Sequence, residues 1–208
     1  MSENWDSIVV DLRDKAQAMH EAREAALGHC RKLGQYAARS IRHVHRQQFE
    51  EAEKLLEQAK GAAEEARAVL RPHPELNPAY LHDTEKEMVE AAAVLAIVRN
   101  EPYPTPAELG AQVMSYLNGM GEAASEVRRY ALDAMRRGDM ELAERILHRM
   151  EGIYEELITF DFADSMTGGL RRTCDALRAV IERTRSDLTL TTTQQELVRE
   201  LRLAREAG

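Results

Sequence analysis

Apolar residues recur every three or four positions along almost the whole chain, and no stretch alternates with period two for long. Such a rhythm puts the apolar side chains on one face of a helix with 3.6 residues per turn, whereas a half-buried strand requires alternation. Only 11 glycines and 6 prolines interrupt the 208 residues, so long helices are easy to build and a many-turned β fold is disfavoured. The expected fold is all-α, a single domain over residues 1–208 made of about seven helices.

The helix signals divide the chain as follows. A first helix is expected from about Trp5 to Arg46, bent near Gly28 or Gly34, and a second from Phe49 to Leu70, closed by Pro72 and Pro74. A third runs from about Pro78 to Arg99. The segment NEPYPTPAELG is a loop whose Thr105, Pro106 and Glu108 form an N-cap, N1 and N3 that start a fourth helix reaching Arg137. Gly138-Asp139 makes a turn, a fifth helix covers Met140 to Thr159, a sixth Asp164 to Ser186, and a short seventh follows Thr193. The short proline-rich link predicts that the third and fourth helices lie adjacent and antiparallel.

The longest apolar run, Ala91 to Val98, is too short to span a bilayer, so no membrane is expected as a partner. The opening MSENWDSIVVDLRDK lacks the basic start and apolar core of a secretory signal. Two cysteines, Cys30 and Cys174, give neither a disulfide framework nor zinc spacing, and a reducing cytoplasm is the expected setting. His43 and His45 cannot share a helix face, so HVH is a poor metal pair.

Four glutamates carry the chemistry. Glu87 and Glu90 stand three apart in TEKEMVEAAAVLAIV, and Glu122 and Glu126 four apart in YLNGMGEAASEVRRYAL. At these spacings each pair shares one helix face, with Cβ atoms roughly 5–6 Å apart. Glutamate is a good helix former, and with 36 acidic residues such pairs are most simply a solvated face. Here, however, both pairs interrupt the apolar stripe. Glu90 leads into the most apolar run of the chain, and Glu122 and Glu126 sit among Met120, Ala123, Ala124 and Val127. Two such helices side by side would converge four carboxylates, an arrangement that repels itself unless a cation or protons neutralise it. Ligation by carboxylates alone favours Mg²⁺ or Mn²⁺ over zinc or copper. A di-iron site would need a Glu-x-x-His pair, which neither helix has.

The net charge of −8 is unevenly spread. From Arg23 to Arg46 six bases face a single acid, Glu24, a local excess of +5, and the stretch from Glu50 to Glu65 carries −4. A basic face on one element can serve an anionic ligand while the outer surface stays acidic. Arg39, Arg42 and Arg46 fall on one face, with Arg31 and Lys32 two to three turns earlier. The plainer reading of this stripe is surface solubility or interhelical ion pairing.

The segments ITFDFADSMTGGLRRTCDALRAVIERTRSDLT and YLNGMGEAASEVRRYALDAMRRGD resemble the translin family, and SIRHVHRQQFEEAEKLLEQA resembles the N-terminal helices of its short prokaryotic members. With the third helix, the resemblance covers most of the chain. It implies a translin-like all-α fold and one of two branches. Translin binds single-stranded RNA and DNA. Translin-associated factor X, TRAX, is a Mg²⁺-dependent endoribonuclease, and the two co-assemble into a hollow octameric barrel enclosing RNA. The TRAX metal site draws on two acids spaced i,i+3 and two spaced i,i+4 on the next helix, positions that match Glu87, Glu90, Glu122 and Glu126. The first pair is missing in translin, so the resemblance places this chain nearer TRAX. Glu122 stands where TRAX typically has aspartate, and Ala124-Ser125-Glu126 looks more like translin.

The expected function is a metal-dependent endoribonuclease acting on single-stranded or processed RNA inside a homo-oligomer, an octamer by resemblance. Glu87, Glu90 and Glu122 would hold one or two Mg²⁺ or Mn²⁺ ions, with Glu126 a fourth ligand or water-orienting base. Arg31, Lys32, Arg39, Arg42 and Arg46 would contact the RNA backbone, and single-stranded DNA is a further candidate ligand. The alternative is a non-catalytic nucleic-acid-binding scaffold like translin.

Overall fold

The computed structural model describes residues 3–76 and 79–206. Among them are eight helices and no strand: α1 (Glu3–His45), α2 (Phe49–Leu70), α3 (Ala79–Arg99), α4 (Pro106–Leu109), α5 (Val113–Arg137), α6 (Met140–Leu157), α7 (Asp164–Thr167) and α8 (Leu170–Glu206). The all-α expectation holds. Pro78, taken as the start of the third helix, lies outside the described residues.

Three boundaries differ from those read in the sequence. Thr105 and Glu108 do form a capping box, but the helix they start lasts one turn and ends at Gly110, in the left-handed region at φ 60°. Gly110 also lies under the Arg67 guanidinium, where a Cβ would come within 2.8 Å of Nη1. A new helix, α5, then starts at Val113 with Gln112 as its N-cap. Likewise the helix expected over Asp164–Ser186 breaks after one turn at Gly168 and Gly169, both with positive φ. From Leu170 it continues unbroken to Glu206 and absorbs the separate last helix. The threonines on either side of Ser186 stay helical, with hydroxyls that bond back one turn. Thr184 donates to the Val180 carbonyl at 2.7 Å, Thr191 to that of Asp187 at 2.8 Å and Thr193 to that of Thr189 at 3.0 Å. Nor does Gly34 interrupt α1, which is one helix throughout. Its missing side chain admits the Glu87 carboxylate, since a Cβ there would lie 2.8 Å from Oε2.

The largest difference is one of direction. α3 and α5 are adjacent, as expected, but they run parallel. His82 meets Ser115, Val89 packs on Gly119, and Glu90 lies in the field of Glu126, so positions advance together along both helices. The chain after Arg99 does not turn directly into the next helix. Segment 100–112 doubles back along α3, with Leu109 buried in the core and the Tyr116 hydroxyl donating to the Pro104 carbonyl at 2.9 Å. Extended residues advance roughly 3.3 Å each against 1.5 Å in a helix, so a segment of this length can return to the start of α3. There, Glu85 is fully buried; it accepts from Arg67 Nε at 2.9 Å and from the Gln112 backbone N–H at 3.2 Å.

α1, α3, α5 and α8 thus stand in a row, each touching the next. α2 packs on α1 and α3, and α6 on α5 and α8. Both backing helices run against the row, as shown by Arg67 with Glu85 and Arg99 with Glu53 in α2, and by Arg185 with Glu151 in α6. The beginning of α1 and the end of α8 project from opposite ends and expose apolar side chains, among them Trp5, Ile8, Leu197 and Leu201.

The parallel pair is tightest at Gly119, where an added Cβ would lie 2.6 Å from Val89 Cβ and 2.7 Å from the Lys86 carbonyl oxygen. Gly119→Ala is therefore expected to lower stability in urea unfolding by about 1–3 kcal/mol. Gly61→Ala, in α2 with nothing within 4 Å of the new methyl, should be neutral or slightly stabilising.

Candidate metal centre and nucleic-acid interface

Parallel packing brings the two glutamate pairs to one seam. Glu87 and Glu90 are half-buried on α3, and Glu122 and Glu126 half-buried on α5. Among the described residues, neither Glu87 nor Glu90 has a side-chain hydrogen bond or ion pair, whereas each α5 carboxylate has a basic partner. Lys86 Nζ lies 2.8 Å from Glu122 Oε1, and His45 Nε2 lies 2.7 Å from Glu126 Oε1, reaching across from α1. Burial, then the charges of Glu122, Glu126 and Glu87, push the Glu90 carboxyl up to about 7. Burial raises Glu87 as well; Lys86 opposes that rise, and Glu122 and Asp83 add to it. Burial works against the Lys86 ammonium, but the hydrogen bond and charge of Glu122 outweigh it and raise its pKa.

The donor set is made of hard carboxylate oxygens, two of them unpartnered and raised in pKa by desolvation, so it suits Mg²⁺ or Mn²⁺ in kind. In the present side-chain positions, no three His, Cys, Asp or Glu side chains among the described residues converge as a ligand set. Lys86 and His45 occupy two of the four carboxylates instead. From the sequence, His45 is set aside as a metal ligand and Lys86 is not singled out. Lys86 is hidden there between Glu85 and Glu87, and His45 acquires its partner 81 positions away.

All five bases expected to meet RNA are exposed, four on α1 and Arg46 in the turn just after it, and among the described residues none forms an ion pair. The lysines of α2 differ, since Lys54 is paired with Glu51 and Lys60 with Glu57. Helical spacing puts Arg31 one turn before Gly34, which touches Glu87, and Arg42 and Arg46 within a turn of His45, which holds Glu126. These three border the carboxylate seam. Arg39 and Lys32 lie further round the same helix. A basic residue of α5 that sequence reasoning passed over, Arg129, stands one turn beyond Glu126 and is also exposed.

No family model matches the chain. Over 110 residues it is 32% identical to an uncharacterized protein of Methanocaldococcus jannaschii. That match covers 52% of this chain and 49% of the relative, so the chain spans about half the length of the curated relative it matches. Likeness to solved structures is broader. AfC3PO, both alone and in a complex with duplex RNA, superimposes with a TM-score of 0.84 at 34% identity, covering 89% of this chain and 97% of that one. Apo-NeC3PO matches with a TM-score of 0.79 over 92% of this chain and 98% of that one, at 21% identity, which bears on the fold alone. Fold and seam define an all-helical protein that sets four half-buried carboxylates along one seam beside the basic second half of α1. The chain belongs to the translin family, in which AfC3PO is a component 3 promoter of RISC.

The Glu90 shift makes a pH prediction. A carboxyl whose folded pKa is above its unfolded value binds protons more tightly when folded. Glu90 therefore withdraws stability as pH rises from about 4.5 to about 7. A shift of that size is worth on the order of 3 kcal/mol at most. Glu90→Gln should be more stable than the parent at pH 8 and nearly equal to it at pH 4.5, as read by urea unfolding without divalent metal.

Proposed function

We propose that the chain is an RNA-binding, divalent-metal-dependent endoribonuclease of the TRAX branch, acting as one translin-like domain over 1–208 within a closed homo-oligomer. One observation carries the reading: the desolvated, unpartnered Glu90 sits in the field of Glu87, Glu122 and Glu126 on a seam bordered by unpaired bases. The 34% identity to AfC3PO, whose structure was determined with duplex RNA, supports RNA as the ligand. Single-stranded or processed RNA is the proposed substrate, and single-stranded DNA a further ligand.

Glu87, Glu90 and Glu122 would hold Mg²⁺ or Mn²⁺, with Glu126 as a fourth ligand or as the base that orients water. When bound, such an ion lowers the pKa of a coordinated water and offsets charge on the attacked phosphate. His45 fixes the Glu126 carboxylate from across the seam at 2.7 Å. Lys86 contributes a positive charge inside a site whose four carboxylates would otherwise repel phosphate. Arg31, Lys32, Arg39, Arg42 and Arg46 attract and align the RNA backbone, so affinity falls as salt rises. The buried, unpaired thiols of Cys30 and Cys174 agree with a cytoplasmic setting.

A non-catalytic nucleic-acid-binding scaffold is favoured by a different observation. Lys86 and His45 already engage two of the four carboxylates, so the side chains in place hold part of the seam without a metal. Cleavage of a short labelled RNA in Mg²⁺ separates the two readings. Glu90→Gln keeps the side-chain shape and removes the charge, so cleavage should fall by orders of magnitude, about 10²–10³-fold or more. RNA binding should persist or tighten. Arg42→Ala should weaken binding and flatten its salt dependence by about one ion. Equal cleavage by Glu90→Gln and the parent, with contaminating nuclease excluded, would leave the scaffold in front.

The apolar overhangs of α1 and α8 are unpartnered in a single chain and support assembly. Light scattering is expected to report a particle of eight 23.5 kDa chains. A monomer at micromolar concentration would remove the enclosed-RNA arrangement but not the carboxylate seam.

A further inference from the structure

We propose that Arg129 is a phosphate-positioning residue that holds the RNA backbone from the α5 bank of the seam, opposite Arg42 on α1 and Arg46 just after it. The proposal deepens the RNA-binding reading above and rests on it. Glu122, Glu126, Arg129, Asp133 and Arg136 follow one another at helical spacing, so Arg129 is the next side chain in line with the α5 carboxylates. Every other arginine of α5 has a partner within the chain. Arg128 is bound to Asp187 at 2.9 Å, Arg136 to Asp133 at 3.3 Å, and Arg137 lies over the Tyr130 ring, 6.0 Å from its centroid.

Among the described residues Arg129 has neither an ion pair nor an aromatic partner, although acids stand three positions before it and four after. Both acids are committed elsewhere. Glu126 is turned across the seam to His45 at 2.7 Å, and Asp133 is paired with Arg136. The guanidinium is thereby left available, at an open hollow of about 580 Å³ also lined by Ser125, Glu126, Leu132, Asp133 and Arg136. Its planar fork matches two phosphate oxygens at once. The contact between His45 and Glu126 ties this hollow to the end of α1, where Arg42 and Arg46 lie within one turn. A strand following the seam past Glu90 and Glu126 would then have Arg42 and Arg46 on one side and Arg129 on the other. Without Arg129, the bank opposite α1 would present only Glu122 and Glu126 to the backbone at this level.

The test is fluorescence anisotropy with a short labelled single-stranded RNA in EDTA, at several salt concentrations. It uses the full chain and its Arg129→Gln, Arg129→Lys and Arg172→Gln variants; Arg172 is exposed on α8. Removing one phosphate contact from a single strand should reduce the slope of log K against log salt by about 0.7. Between about 50 and 200 mM salt, Arg129→Gln should lose roughly threefold less affinity than the parent, and it should bind more weakly at the lower end. Arg129→Lys should restore the slope while recovering only part of the affinity, a pattern that a purely structural role would not produce. Arg172→Gln should behave as the parent. In Mg²⁺, Arg129→Gln should raise KM for RNA cleavage with little change in kcat. A parent slope retained in Arg129→Gln overturns the assignment, as does a slope that Arg129→Lys fails to restore. A parent chain that binds no RNA at all would instead overturn the RNA-binding reading itself.

Discussion

A fully buried carboxylate, that of Glu85, sets the direction of everything that follows it in the chain. A charge out of water is tolerated only when paired and hydrogen-bonded. Glu85 has Arg67 Nε at 2.9 Å from α2 and the Gln112 N–H at 3.2 Å from the residue that caps α5. One side chain therefore ties the backing helix, the start of α3 and the start of α5 together. With that end fixed, segment 100–112 has to return along α3, and α5 sets off parallel to it. Gly119 then lets the two helices approach until Val89 fills the space a side chain would take. The register of Glu87 and Glu90 against Glu122 and Glu126 is a consequence of these two contacts.

What the register assembles is an electrostatically unsettled seam. Lys86 and His45 each answer one α5 glutamate, and Glu87 and Glu90 are left without partners, their carboxyls raised by burial and by their neighbours' charges. On the backing helix α2 the lysines are locally paired, Lys54 with Glu51 and Lys60 with Glu57. Among the described residues, bases without an ion pair stand along the border of the seam, Arg31 and Arg42 on α1, Arg46 just after it and Arg129 on α5, as Lys32 and Arg39 do further round α1. Desolvated carboxylates inside and bases without ion pairs at the rim are what the proposed function draws on.

The two glutamate pairs and the basic stripe could be read before any coordinates, because i,i+3 and i,i+4 spacing fixes which side chains share a helix face. Their partners could not. Lys86 is one of several charges in TEKEMVE, His45 was set aside for lacking a neighbour on its own helix, and Arg129 looked like any arginine in EVRRYAL. Each takes its meaning from a residue on another helix. The single helix α8 spans what the sequence divided into two; its β-branched threonines are poor helix formers by propensity, and their hydroxyls bond to the preceding turn.

By itself, then, the sequence determined the all-helical class, the helix-sharing of the glutamates and the basic character of α1, since periodicity, capping at Thr105 and charge clustering act over one or two turns. Tertiary structure alone decided that α3 and α5 run parallel, that α4 is a single turn, and that Glu126 faces His45 while Arg129 is left free. Those outcomes depend on where a buried charge finds its counter-charge and where a glycine allows two helices to touch. Both are contacts between residues far apart in the chain, and no local pattern encodes them.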